Sequence, residues 1–153
     1  MSEAGAPAQA GSSAGGPTTR TFSSVAVGDS LPPLAIPLTR TLIVSTAIAS
    51  RDYQDVHHDP SLALGRGSPD IFMNILTTNG FVGRFVTDWT GPGARLLKVD
   101  IRLGAPNYPG DTMTIEGAVT ARNEDEGTVE ISLRGHNRLG DHVTGKVIAA
   151  LPR

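Results

Sequence analysis

Hydrophobic positions change their period once along this chain. Over residues 70–89, Ile71, Phe72, Ile75, Leu76, Val82, Phe85 and Val86 recur at three- and four-residue intervals, the spacing that lines one face of a helix. Pro69 and Asp70 suit the first turn of that helix, and Gly91-Pro92-Gly93 ends it. Gly80 and Gly83 fall inside it. A glycine in a helix interior is about 1 kcal/mol worse than alanine, so the pair predicts close approach of another element, most simply a sheet wrapped around the helix.

After Gly93 the period drops to two. Leu97, Val99, Ile101 and Leu103 share one face, then Met113, Ile115, Gly117 and Val119, then Val129, Ile131 and Leu133, and finally Val143, Val147, Ala149 and Leu151. These are strands with one buried side each. Residues 107–111, 123–127 and 138–141 supply the turns between them. Upstream, Leu34 to Leu38 forms a short extended piece, and Pro37 argues for an edge position. Residues 41–50 fit strand or helix; helix is favoured, with Thr39 or Thr41 as its cap. The apolar sheet face must be covered, and residues 70–89 form the one long amphipathic helix available. The expected fold class is α+β, a single curved antiparallel sheet wrapped around a long central helix.

Composition narrows the range of functions. Residues 1–22 are Ala, Gly, Ser, Pro and Thr with almost no large apolar side chain, so they are expected to be a disordered extension ahead of a domain spanning 23–153. With no cysteine, disulfides and thiol catalysis are excluded. No apolar run approaches the roughly 20 residues needed to span a bilayer. A net charge of -2 and an aromatic content of 5% disfavour phosphate-backbone binding and base stacking, so nucleic acid is not an expected partner. The expectation is a soluble cytoplasmic protein with no membrane association.

Candidate chemistry is concentrated in Arg51-Asp52-Tyr53-Gln54-Asp55-Val56-His57-His58-Asp59-Pro60. Asp52 and His57 could act as an acid-base pair on one water, the carboxylate accepting a proton and the imidazole orienting that water. The same residues also suit a plain surface turn, because Asx side chains bond their own backbone and proline fixes φ. Asp55, His58 and Asp59 beside His57 could suggest a metal, but neighbours on one loop rarely converge, and no metal or other cofactor is expected. Arg84, Arg95 and Lys98 read as solvated surface, His136 and His142 as solvated strand ends, and Phe81, Phe85 and Trp89 as core.

From residue 28 onward the chain resembles the MaoC-like (R)-specific enoyl-CoA hydratases. The family pattern runs Asp, any residue, Asn, Pro, an aliphatic residue, His; Asp52, Gln54, Asp55, Val56 and His57 occupy those places, with the Asn and Pro replaced. Thr87-Asp88-Trp89, Gly91-Pro92-Gly93-Ala94, Arg102 with Ala105-Pro106, and Tyr108-Pro109-Gly110-Asp111-Thr112 follow in the family's order. Residues 51–59, 70–72, 74–77 and 139–144 are further similar to the small subunit of the heteromeric branch that serves steroid side-chain degradation in actinobacteria.

The resemblance implies the hot-dog fold, a coenzyme A thioester substrate, and a second MaoC-like subunit in a heterodimer or heterotetramer, or otherwise a homodimer. It implies reversible addition of water to an enoyl-CoA, with Asp52 as base and His57 orienting the water and delivering a proton. Where the family has His-Gly at the start of the central helix, this chain has Met73-Asn74. The Asn74 backbone N–H, with Met73 beside it, is therefore the expected oxyanion donor, and Gln54 the expected support of the loop. Two rival readings stand: a hot-dog acyl-CoA thioesterase, and a non-catalytic MaoC-like partner subunit.

Overall fold

The computed structural model describes residues 18–153. Most of the expected extension, residues 1–17, lies outside the described residues. Ordered packing begins before the expected boundary at residue 23. Phe22 is buried in the core, its N–H donates to the Pro152 carbonyl at 2.8 Å, and the Arg122 guanidinium lies 4.3 Å from its ring centroid. Arg20 donates to the Trp89 and Thr90 carbonyls. One aromatic side chain and two cations suffice to order a stretch whose composition predicts none.

Strand β1 (Ser30–Pro37) leads into helix α1 (Arg40–Ala49), short helix α2 (Pro60–Gly65) and the central helix α3 (Ile75–Thr90). Strands β2 (Arg95–Leu103), β3 (Thr112–Asn123), β4 (Thr128–Asn137) and β5 (Gly140–Ala150) complete the chain. All pairings are antiparallel, in the order β1-β3-β4-β5-β2. The 123–127 and 138–141 turns close hairpins as expected, but residues 104–111 are not a hairpin turn. They carry the chain from the β2 edge past β5 and β4 to β3, with Gly104 and Ala105 donating to the His142 and Asp141 carbonyls. Strand β1 lies at the opposite edge, where Pro32, Pro33 and Pro37 remove no ladder donors from a central strand.

Residues 41–50 are helical, with the Thr39 hydroxyl accepting from the Leu42 N–H at 3.0 Å, while Ile43 and Ala47, four apart, are fully buried. Helix α3 starts at Ile75 rather than at 70. The Asp70 carboxylate accepts from its neighbour Ile71 N–H and from Arg40, and Phe72 and Met73 donate to the Val56 and Asn107 carbonyls. Those donors are therefore fixed outside any helix. Val82, Phe85, Val86 and Trp89 of α3 join one core with Met113, Ile115, Val119, Ile131, Leu133, Val143 and Val147 of the sheet. Each such side chain contributes about 1.5–3 kcal/mol by leaving water.

Two expectations about packing fail in an informative way. Close approach of helix to sheet is accommodated by a strand glycine, Gly117, where a Cβ would lie 2.7 Å from the Ser132 carbonyl and 3.1 Å from the Phe85 ring. A Cβ on Gly80 would meet nothing within 4 Å, and one on Gly83 only Leu96 at 3.5 Å. The apolar face of β2 is largely uncovered as well: Leu97, Val99 and Leu103 are exposed on this edge strand, and only Ile101 packs partly buried against the core. Gly117→Ala should lower the free energy of unfolding by about 1–3 kcal/mol through overpacking, measured by urea denaturation.

Candidate active site

Asp52 is placed by the end of α1. The Asp52 N–H donates to the Ala47 carbonyl at 2.9 Å and the Arg51 N–H to the Ile48 carbonyl at 3.0 Å, the paired bonds of a Schellman ending. Arg51 occupies its left-handed position at φ 57°, where glycine is usual. Strain of roughly 1–2 kcal/mol thus sits one residue before the carboxylate. Asp52 Oδ2 accepts from Asn74 Nδ2 at 3.0 Å, and Oδ1 accepts weakly from the Gln54 N–H at 3.4 Å.

His57 ends a single 3-10 turn, Asp55–His57, closed by its N–H to the Gln54 carbonyl at 3.0 Å. The ring is buried edge-on to Phe72, centroids 5.0 Å apart. Its Nδ1 lies 2.7 Å from the Phe72 carbonyl oxygen, which can only accept, so the proton is on Nδ1 in the neutral ring. Nε2 then faces Asp52 Oδ2 at 3.4 Å. Two acceptors that close call for a hydrogen between them, either a proton on Nε2 or a water donating to both.

The third component is Asn74. Its Oδ1 accepts from the Thr77 N–H at 3.0 Å and caps α3, while Nδ2 donates to Ser50 Oγ at 2.9 Å as well as to Asp52. Sequence reasoning assigned Asn74 through its backbone; the amide side chain and its Ser50 partner were missed, although an Asn just before a helical run is a readable cap signal. Among the described residues the Asn74 N–H meets no acceptor, whereas the Met73 N–H is already engaged by Asn107 at 3.0 Å. Asn74 therefore has a donor to offer a ligand, and Met73 is a buried side chain beside Asn107. Gln54 supports the loop through its backbone; its side chain is solvent-exposed.

The other polar residues of the segment turn elsewhere. Asp55 pairs with Arg66 at 2.7 Å, whose hydrogen bond holds its carboxyl below the usual range. Asp59 caps α2, and His58 Nε2 meets the Tyr53 carbonyl at 3.2 Å. His142, expected at a solvated strand end, is buried. Its Nδ1–H donates to the Ala105 carbonyl at 2.7 Å, so Nε2 accepts from the Thr78 hydroxyl at 2.9 Å. Burial pushes its pKa below the ordinary value. The crossover segment that meets it reads in sequence as a turn between neighbouring strands, which gives no sign that it reaches across to His142.

No family model matches the sequence. Over 121 residues the chain is 52% identical to the 3-oxo-4,17-pregnadiene-20-carboxyl-CoA hydratase beta subunit of Mycobacterium tuberculosis, spanning 79% of this chain and 92% of that one. The chain belongs to the MaoC-like hydratases. Among solved structures this MaoC-like hydratase is similar to the ChsH1-ChsH2 complex from Mycobacterium tuberculosis, at 50% identity and a TM-score of 0.80, over 82% of this chain and 98% of that one. It is also similar to the (R)-hydratase from A. caviae involved in PHA biosynthesis, at 26% identity and a TM-score of 0.75, over 84% and 98%. The hot-dog fold and the hydro-lyase class follow, and the thioesterase reading falls away. Among the described residues no helix of this MaoC-like hydratase is long and apolar enough to cross a membrane.

The buried neutral His142 has a consequence for stability. Its folded-state pKa is depressed, so its contribution is fully present above the unfolded value near 6.5 and is lost as pH falls toward the folded value. His142→Gln should lower stability at pH 7.5 yet flatten the decline between pH 7 and 5, removing a slope of up to about 1.4 kcal/mol per pH unit. Denaturant titrations of both proteins across that range measure it.

Proposed function

We propose that this chain carries the catalytic pair of an enoyl-CoA hydratase, Asp52 and His57, and adds water reversibly and syn across the 2,3 double bond of the thioester. The observation that carries this reading is the tautomer lock on His57: with Nδ1–H held by the Phe72 carbonyl, Nε2 and Asp52 Oδ2 face each other as acceptors 3.4 Å apart. A water that donates one hydrogen to each presents its lone pair to the β-carbon. Asp52 takes a water proton as the new C–O bond forms. That proton crosses the short gap to His57 Nε2, which delivers it to the α-carbon, so hydroxide ends on the β-carbon, the water's proton on the α-carbon, and both groups return to their starting states. Both additions come from one loop, hence from one face of the double bond. Only water and protons move, so the reaction as written needs no cofactor.

The thioester oxygen gathers negative charge as the β-carbon is attacked. The free Asn74 N–H, at the positive end of α3, is the donor we assign to it. Asn74 Nδ2 holds Asp52 in line without neutralising it, and the apolar side chains exposed around the pair, Ile48, Tyr53, Ile75 and Leu76, suit a site completed by substrate and a partner.

The partner we infer is a second MaoC-like subunit, and the substrate a CoA ester of steroid side-chain degradation, handled in the cytoplasm. The relatives support this: one is a beta subunit acting on a pregnadiene carboxyl-CoA, and another was solved as a two-protein complex. The β2 edge supports it independently, since an unpaired edge with exposed Leu97, Val99 and Leu103 is what a sheet continued by another chain requires.

In the complex, Asp52→Asn and His57→Ala should each reduce kcat by about 10²–10⁴ while leaving the melting temperature within a few degrees. Loss of enoyl absorbance measures this, and near wild-type turnover in either variant overturns the assignment. Leu97→Glu with Val99→Lys should abolish co-purification of the partner without unfolding this chain, as judged by size-exclusion chromatography and circular dichroism.

A further inference from the structure

The groove between α1 and α3 has no role in the chemistry above. It is an open groove of about 380 Å³, bordered by Ala49 of α1 and its capping Ser50 and by Leu76, Thr77, Gly80 and Phe81 of α3, with Arg84 at its far end. That volume lies within the range of small-molecule sites. Resting on the reading of Asp52 and His57 as the hydrating pair, we propose that this groove receives the fused-ring part of the acyl group and that Gly80 sets how bulky that part can be.

Continuity with the site is the first support. Ser50 both borders the groove and accepts from Asn74 Nδ2 at 2.9 Å, and the same amide holds Asp52 at 3.0 Å. The groove thus begins one hydrogen bond from the carboxylate. From Thr77 to Arg84 it follows two turns of helix, about 10 Å.

Gly80 is the second support. Alanine there would meet nothing within 4 Å and would favour the helix, so packing gives no reason for glycine. What the missing side chain preserves is the empty breadth beside it. The Thr77 hydroxyl is the third. It borders the groove in a side chain more than nine-tenths buried, and it has no hydrogen-bond partner among the described residues, leaving a donor for a ligand oxygen. A pantetheine arm, with two amides to satisfy, fits these mostly apolar walls less well than a rigid hydrocarbon skeleton does.

The test uses the complex with its partner subunit and two saturated, unreactive esters, butyryl-CoA and a steroid-22-oyl-CoA, titrated calorimetrically. Gly80→Phe should raise the Kd of the steroid ester relative to that of butyryl-CoA by at least about 10-fold, with Gly80→Ala between it and wild type. An unchanged ratio overturns the proposal, whether both affinities stay or both fall together. Loss of the partner from Gly80→Phe, with the isolated chain still folded, overturns it too and makes the groove a subunit seat. Because binding is read without turnover, failure here is distinct from failure of the catalytic reading, which Asp52→Asn turnover tests separately.

Discussion

The structure depends most on a single carboxamide. Asn74 caps the central helix with its oxygen and ties that helix start to Ser50 and Asp52 with its nitrogen. Its backbone, extended at φ -78° and ψ 162°, is the point at which the segment from Asp70 turns into α3. Helix start, loop carboxylate and free amide donor are therefore one rigid unit. Displacing any of them moves the other two, which is how preorganised electrostatics avoid rearrangement during reaction.

Two layers hold that unit. Beneath it lies the packed core, where Gly117 lets Phe85 of the helix lie against β3. Around it runs a polar frame that includes the carbonyls of Phe72, Val56 and Asn107, the Thr78–His142–Ala105 chain and the Asp70–Arg40 pair. Arg40 draws the Asp70 carboxyl below its usual range, so this strap remains charged through neutral pH. The frame orients groups; the core supplies the stability that allows a left-handed Arg51 and a glycine inside α3 to persist.

The fold was legible because its signals are periodic and repeated: four alternating strands and an apolar helical stripe leave few ways to cover one sheet face. The carboxylate-imidazole spacing was legible for the opposite reason, as a local departure from a weakly charged background. What stayed hidden depends on contacts distant in sequence. Asp70 and Ile71 look helical until Arg40 and Val56 engage them and their neighbours, and His142 looks solvated until residues 104–111 cross over it. Leu97 and Val99 look like core because alternation marks a face without saying what covers it. Gly80 and Gly117 are indistinguishable in a string of letters, yet one faces open space and the other a phenyl ring.

The anchoring of Asp52 and His57 bears on how sequences of this kind drift. One group is held by the end of α1 and by Asn74, the other by the Phe72 carbonyl, and none of these anchors comes from the side chains at positions 54 and 55. Those two positions can differ from the family pattern, as Gln54 and Asp55 do here, without displacing either the carboxylate or the imidazole. Recognition by a contiguous string of letters should therefore fade sooner than the chemistry does, and kinship in such loops is better sought in the far residues that grip them.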